Sequence, residues 1–488
     1  MPNLPALRVL AFLLCALAVG SRAGAQESLR PGASGRMDMG GCVLRALEAN
    51  PQIKSAREKI NGAIEGVRAS GAAFAPTGTA SYVSQAGDTS VPGSFTQKTA
   101  LDGVVPGAGF ANGSTQSYPS GVGYLATLDL NVHQPLFTGF KLLSAFQKAR
   151  LAKDQAEALL AQTELTLIRS VQSAFLALLK DRANVKAAEA SIARLESQLK
   201  TTQAFYEEGL RTRLDTYQAE ADLATARETL LAAQNAVDIQ TVQLDALLNI
   251  IPDGPDGPDG PDGPERPAGG QARPVAYVGE LARIPFTITL EAARAEAFRQ
   301  RPDLAVAVKS VEMAEKDAAI ALSPALPHAA ADYDNSREGD RYWLRGKNVA
   351  YTERNQLELS ATWKAWDFGN TAFSYRQAGD TVRKLQADLA TLRLTVGVEV
   401  KTQYLNILDA AKRIDVARAG QAAANEAYRQ AAARYRQNVA TNTDVLIAQA
   451  QVSNADYQVT QALSDYQAAI VSLYYSMGRK NPNLDGSM

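Results

Sequence analysis

Two stretches of this chain alternate apolar and polar residues with a period of two. From Leu128 to Leu136 the even positions read Leu128, Leu130, Val132, Gln134 and Leu136, and the odd ones Asp129, Asn131, His133 and Pro135. From Gln356 to Ala365, the residues Leu357, Leu359, Ala361, Trp363 and Ala365 alternate with Gln356, Glu358, Ser360, Thr362 and Lys364. This spacing predicts strands with one greasy and one polar face. Weaker alternation over 77–84 and 329–335 predicts a companion strand for each. After each strand pair the period changes. Helical text runs for about 67 residues, over 140–206 and again over 369–435, and each such helix would be ~100 Å long. Val185, Ile192, Leu199 and Tyr206 recur every seventh residue with Ala188 and Leu195 interleaved, which is coiled-coil spacing. A turn follows, then helices of about 38 residues reaching Ile250 and Gly478. Pro51 and Pro302 suit the first position of shorter helices of about 24 residues, where a missing N–H costs nothing. A short and a medium helix stacked end to end match one long helix in length, so the units predict a hollow or layered cylinder rather than a compact bundle.

The pattern is written twice. At an offset of 251, Pro51 matches Pro302, Pro76 matches Pro327, Ala80 matches Ala331 and Tyr82 matches Tyr333. At an offset of 229, Leu128 matches Leu357, Tyr206 matches Tyr435, Asp215 matches Asp444 and Ala219 matches Ala448. The difference of 22 residues falls in a Gly/Ser/Thr/Pro stretch over 86–123, read as a long loop. The layout is therefore a first repeat over 26–251, a Pro/Asp/Gly-rich linker over 252–285, a second repeat over 286–478 and a tail over 479–488. Within the linker Pro-Asp-Gly is written four times, too few triplets for a collagen helix, and the tract reads as a flexible joint.

At the start, Arg8 precedes the apolar run Val9–Val19, and Ala23-Gly24-Ala25 is a small-x-small cleavage site. Residues 1–25 are read as a secretory signal peptide, since the run is too short to span a bilayer. No later segment offers 18 consecutive apolar residues. A membrane-spanning reading then requires strands, and in lipid the strands must close into a barrel. Four strands per chain are too few, because spanning barrels begin at about eight. Three copies would give twelve strands and a lumen. On this argument Leu128, Leu130, Val132, Leu357, Leu359 and Trp363 face lipid, while Asp129, Asn131, Glu358 and Ser360 face water inside.

Composition removes other classes. The 488 residues carry 50 Lys+Arg against 51 Asp+Glu, a net charge of −1, which leaves no basic surplus for nucleic acid. With two cysteines and two histidines, neither a disulfide framework nor a Cys/His metal site is expected. No nucleophile motif and no phosphate-cradling loop is present, so catalytic, cofactor and metal residues are all expected to be absent.

Several short motifs complete the picture. Glu48-Ala49-Asn50-Pro51, Gln134-Pro135-Leu136-Phe137-Thr138-Gly139 with its copy Trp366-Asp367-Phe368-Gly369, Tyr206-x-x-Gly209 ahead of Asp215, and Tyr435-x-x-Asn438 ahead of Asp444 occur in order. With the duplicated layout, they resemble the TolC outer-membrane channel family over the whole chain beyond the signal peptide. The resemblance implies a mainly α fold with a membrane β-barrel: a homotrimer whose twelve-stranded barrel continues as a twelve-helix periplasmic tunnel. It implies an exit duct that docks with a periplasmic adaptor and an inner-membrane transporter, ABC or proton-driven, and that is not an enzyme. Protein and small toxic compounds are both possible cargo. A secreted or periplasmic coiled-coil scaffold without channel activity is the alternative that the same helices allow.

The turns after the long helices are the candidate gate. Gly209 and Asn438 tolerate the left-handed conformation that ends a helix. Thr212 to Asp215 and Thr441 to Asp444 have capping-box spacing. By resemblance, Asp444 lines the tunnel as a three-fold carboxylate ring, and Tyr435 and Asp215 help hold the tunnel closed. The chain departs from the family's pattern at Ile447, where a second ring aspartate is expected, and at Ala440, where a linking arginine is expected. Arg211 and Arg213 are the candidate substitutes.

Overall fold

The computed structural model describes residues 36–89, 95–96, 115–116, 121–250, 276–339 and 351–480. The signal peptide and the Pro-Asp-Gly tract lie outside the described residues, as do most of the long loop and of the C-terminal tail.

The first repeat runs β1 (Arg36–Met37), α1 (Met39–Ala49), α2 (Pro51–Ala72), β2 (Thr77–Thr89), β3 (Phe95–Thr96), β4 (Thr115–Gln116), β5 (Gly121–Thr138), α3 (Lys141–Glu207) and α4 (Arg213–Leu247). Then come β6 (Ala276–Tyr277), α5 (Leu290–Gln300), α6 (Pro302–Leu322), a 3-10 turn (Ser323–Ala325), β7 (His328–Gly339), β8 (Tyr351–Thr362), α7 (Asn370–Arg436) and α8 (Asn442–Ser476). Both long helices, α3 and α7, have 67 residues. None of the described helices is long and apolar enough to cross a membrane.

Helices α1 and α5 precede the prolines, and the periodicity reading did not anticipate them. Each ends on the residue before Pro, Asn50 or Arg301, whose ψ of 128° or 121° is extended, because the proline ring excludes helical geometry there. The strands are longer than their alternation. β2 and β5 pair from Thr77↔His133 to Thr89↔Gly121, so the loop read over 86–123 is shorter at both ends, since ladder hydrogen bonds need no alternating side chains. Trp363 is a second correction. β8 stops at Thr362, and the Trp363 indole Nε1 donates instead to the Ala325 carbonyl at 3.0 Å. The linker read over 252–285 is not free throughout. β6 pairs in parallel with β1, Gln467 Nε2 donates to the Ala282 carbonyl at 2.8 Å, and the Tyr466 hydroxyl donates to the Ile284 carbonyl at 2.6 Å.

The main sheet has the order β2-β5-β7-β8, antiparallel throughout, with β2 and β8 as edges. Below it the helices form a wall one layer thick, in which α3 packs against α2, α4, α6 and α8, and α7 packs against α5, α6 and α8.

Two cores hold this wall together, and they repeat at the sequence offsets. Cys42, Ala46 and Ile53 in one core correspond at 251 to Ala293, Ala297 and Leu304 in the other. Val171, Leu178 and Leu244 correspond at 229 to Val400, Ile407 and Leu473. Each core is the place where a short, a medium and a long helix meet. Burying one of the Val, Leu or Ile side chains among them contributes roughly 1.5–3 kcal/mol.

Candidate functional site

The far end of the helical wall carries two matching turns. α3 ends with Gly209 at φ +72°, and α7 with Asn438 at φ +59°. Leu210 N donates to the Phe205 carbonyl at 2.8 Å and Val439 N to the Arg434 carbonyl at 2.9 Å, the six-to-one bond of a Schellman stop. The next helix is capped at once. At Thr441 the box is reciprocal: Asp444 Oδ2 accepts from Thr441 N at 2.8 Å and from its hydroxyl at 2.7 Å, while Asp444 N donates to Thr441 Oγ1 at 3.2 Å. At Thr212 the Asp215 carboxylate accepts from Thr212 N at 3.2 Å and from its hydroxyl at 3.0 Å, but Asp215 N donates to the Thr212 carbonyl at 3.2 Å. The Thr441 hydroxyl and amide hold the exposed Asp444 carboxyl below the usual carboxylate range, so it is an anion at neutral pH.

Between the turns lies a buried polar cluster. Asn442, fully buried, donates through Nδ2 to the Asp215 carbonyl at 3.0 Å and accepts at Oδ1 from Gln198 Nε2 at 2.8 Å. The Tyr435 hydroxyl donates to Thr202 Oγ1 at 3.2 Å, and the Phe205 ring lies 5.5 Å from the Tyr435 ring. Arg211 stacks over the other aromatic partner in this set: its guanidinium carbon is 5.0 Å from the centre of the Tyr435 ring, and Nη2 donates to the Ala440 carbonyl at 2.7 Å. Arg213 instead lies over Tyr217 at 5.3 Å.

The candidate gate residues are thus sorted. Arg211 and Tyr435 meet and tie the two turns, with Asn442, Gln198 and Thr202 joining them. Asp215 and Asp444 each cap their own helix, and Tyr435 bonds Thr202 rather than Asp215 within this chain. Asn442, Gln198 and Thr202 escaped the sequence reading. The signal for Thr202 was a polar residue on the buried seam Ala188, Leu195, Thr202, which is spaced by sevens and lies three residues along from the Val185 stripe; Gln198 lies three residues beyond Leu195 on that helix, and Asn442 on α8 had no such signal. The two repeated tyrosines have diverged, since Tyr435 is 0% exposed and Tyr206 is 44% exposed.

At the opposite end, register fixes the two faces of the sheet. Leu128 lies opposite Tyr82, Leu130 opposite Ala80, and Val132 opposite Tyr333, which in turn faces Leu357; Ala331 faces Leu359. These share one side. Asp129, opposite Ser81 and Ser336, and Asn131, opposite Thr79 and Asp334, share the other side with Asp332 and its partner Glu358. Ser360 follows Glu358 at the same parity. Asn131 Nδ2 donates to Asp334 Oδ1 at 2.5 Å, and His133 Nδ1 lies 2.6 Å from Asp332 Oδ1. Leu357 and Leu359 are more than 70% exposed, so this apolar stretch has no cover among the described residues; farther from the helices the same side turns polar, with Asn335, Arg337, Glu353 and Asn355.

Comparison with known proteins supplies the context. A family model described as outer membrane efflux protein matches residues 43–249 and 293–479. The fold is similar to that of the outer-membrane channel OprN, at 18% identity, with 91% of this chain and 90% of that one covered and a TM-score of 0.69. It is similar to the outer membrane protein VceC of Vibrio cholerae, at 18% identity over 90% of this chain and 96% of that one, with a TM-score of 0.69. It is also similar to the CmeC outer membrane channel of Campylobacter jejuni, at 15% identity over 90% and 85%, with a TM-score of 0.68. No curated protein matches the chain in sequence.

Proposed function

Because the chain belongs to the outer membrane efflux protein family, we propose that it is the exit duct of a tripartite export system, carrying substrate passively from an inner-membrane transporter and a periplasmic adaptor to the outside. Its place is the outer membrane, with the helices reaching into the periplasm. The observation that carries the reading is incompleteness: among the described residues the four-stranded sheet has two unpaired edges, and the leucines on one side of it, nearest the helices, lie bare above a helical wall with apolar rims. Edge strands left open in lipid would expose unsatisfied backbone groups. Three copies pair each β8 with the next β2, giving twelve strands and a lumen. Leu394, Val398, Leu405 and Val416 on α7 then meet Leu231, Ile239 and Val242 on α4 of the next copy; all seven are exposed in one chain.

In this assembly Leu128, Leu130, Val132, Leu357 and Leu359 face lipid, Trp363 sits at the membrane boundary, and Asp129, Asn131, Glu358 and Ser360 line the barrel. At the tunnel tip three Asp444 carboxylates converge on the axis and favour cations. Arg211 supplies, from the first turn, the link that Ala440 cannot. The driving energy comes from the transporter, because an open passage lined by fixed charges does no work of its own. The cargo is a secreted protein or small toxic compounds. Extraction of the native protein from outer membranes with detergent tests the assembly: a trimer supports it, and a water-soluble rod contradicts it.

A further inference from the structure

We propose that the cleft at the foot of the second hairpin binds the headgroup of an anionic phospholipid, and so fixes the depth at which the sheet sits in the membrane; this rests on the outer-membrane reading above. Where β8 ends, the chain turns through residues 363–369 into α7 and encloses a cleft of ≈ 560 Å³ against the end of α6. Its wall includes Leu322, Trp363, Lys364, Trp366, Tyr375 and Arg376. The Trp363 ring is fixed by its bond to the Ala325 carbonyl yet remains mostly exposed. Trp366 is 76% exposed and stands edge-on to Phe368 at 5.8 Å. Rings with an apolar body and a polar edge are favoured at the headgroup level of a bilayer.

Depth agrees with this. The exposed apolar positions Leu357 and Leu359 run toward the end of β8 at Thr362, and the cleft opens directly after it at Trp363, so it lies where the lipid-facing stripe gives way to the headgroup layer.

Charge selects the headgroup. Lys364 and Arg376 line the cleft, and neither forms an ion pair among the described residues; the Arg376 guanidinium carbon lies 5.9 Å from the centre of the Phe373 ring, and Lys364 is near enough to Asp367 to act on its charge. The one carboxylate in the wall, Asp367, is engaged by the start of α7, accepting from Thr371 N at 2.9 Å, from the Thr371 hydroxyl at 2.5 Å and from Gly369 N at 3.1 Å. The duplication makes the two cations stand out. At the 229 offset, Lys364 corresponds to Pro135 and Arg376 to Gln147, so the first hairpin keeps aromatic residues at this level, Phe137 edge-on to Phe140 at 5.3 Å, without either charge. Two cations outside any ion pair, beside interfacial rings, fit a phosphate that carries net negative charge; a zwitterionic headgroup would bring its own cation into the same space.

The chain's three tryptophans make the test direct. Trp363 and Trp366 line the cleft, and Trp343→Phe leaves these two as the reporters. The full-length variant is reconstituted in phosphatidylethanolamine vesicles containing either brominated phosphatidylglycerol or brominated phosphatidylcholine, and ion conductance is recorded on the same preparation. Stronger quenching by the brominated phosphatidylglycerol, lost in Lys364→Gln/Arg376→Gln while quenching by phosphatidylcholine persists, supports the inference. Each cation is expected to carry a roughly fivefold preference. Equal quenching by the two lipids overturns it. So does absence of quenching in vesicles that conduct ions, which means a neighbouring copy covers the cleft and leaves the duct reading standing. Absence of both quenching and conductance contradicts the duct reading itself.

Discussion

Asn50 donates through Nδ2 to the Leu247 carbonyl at 3.0 Å while its Oδ1 accepts from Gln52 N at 2.9 Å. One buried side chain thus caps the start of α2 and the end of α4, joining a short and a medium helix into a rod that matches α3. In the second repeat Arg301 does the same for α8, donating to the Ser476 carbonyl at 3.1 Å, with Asp303 and Glu399 pairing its charge. Gly478, at φ +71°, lets Arg301 approach, since a Cβ there would stand 2.8 Å from Arg301 Cα. Asn50→Ala is expected to lower stability by about 2 kcal/mol, combining a lost cap with an orphaned carbonyl. Thermal unfolding in detergent measures this. Asn50→Asp, which keeps the cap oxygen and loses the donor, should fall between the two.

Breaking the tip link should favour the open duct. Arg211→Ala removes the donor to the Ala440 carbonyl and the cover of Tyr435, an interaction of roughly 1.5–3 kcal/mol in the closed state. A rise of about tenfold or more in the open fraction is expected in single-channel records. An unchanged record would remove Arg211 from the gate.

Asn442→Ala should act in the same direction and also destabilise the fold. It removes two hydrogen bonds, the acceptor for Gln198 Nε2, which keeps only its 3.4 Å bond to Thr202 Oγ1, and the side-chain donor to the Asp215 carbonyl, at a cost of about 1–3 kcal/mol for the pair. Combined with Arg211→Ala, the effect on opening should be less than additive, because both residues hold the same pair of turns.

Charge and capping at Asp444 can be separated. Asp444→Asn keeps an acceptor for Thr441 and removes the charge; it should abolish block by divalent cations added at the periplasmic side while leaving helix content unchanged. Persistent block would sink the carboxylate ring. The depressed pKa of Asp444 also sets a sign. The charged cap adds stability above the usual carboxylate range, and both cap strength and cation block fade as pH falls through the depressed folded value.

Cys42 should be silent in the folded protein. Burial pushes its thiol up to about 12, with Asp38 and Asp245 adding to the shift, so almost no thiolate exists at pH 8. A maleimide should label it only after unfolding. Labelling of the native protein would contradict the packing of the first core.

The extent to which the sequence could be read follows from the range of each interaction. The 67-residue helices and the faces of β5 and β8 rest on local periodicity, which one strand or helix carries by itself. The duplication was legible because Pro51 and Pro302, or the buried Ala219 and Ala448, fill the same site twice. The Gln198–Asn442 contact was not, because it joins α3 to α8 across 244 residues and has no copy: position 427, which corresponds to Gln198, is Ala427. The hairpin foot shows a similar limit. At this foot two consecutive residues are left-handed in each repeat, Gly139 with Phe140 and Phe368 with Gly369, but the glycine has changed places. At Gly139 a Cβ would stand 2.6 Å from the Ser323 carbonyl, a constraint that only the assembled fold imposes. Trp363 kept the alternation but left the ladder for a similar reason, the nearby Ala325 carbonyl.

Single-channel recording of the purified protein in a planar lipid bilayer tests the central claim. A closed trimer predicts small, cation-preferring conductance steps that enlarge when Arg211 is replaced by alanine. Membrane-associated protein that yields no steps, before or after that substitution, would contradict the duct.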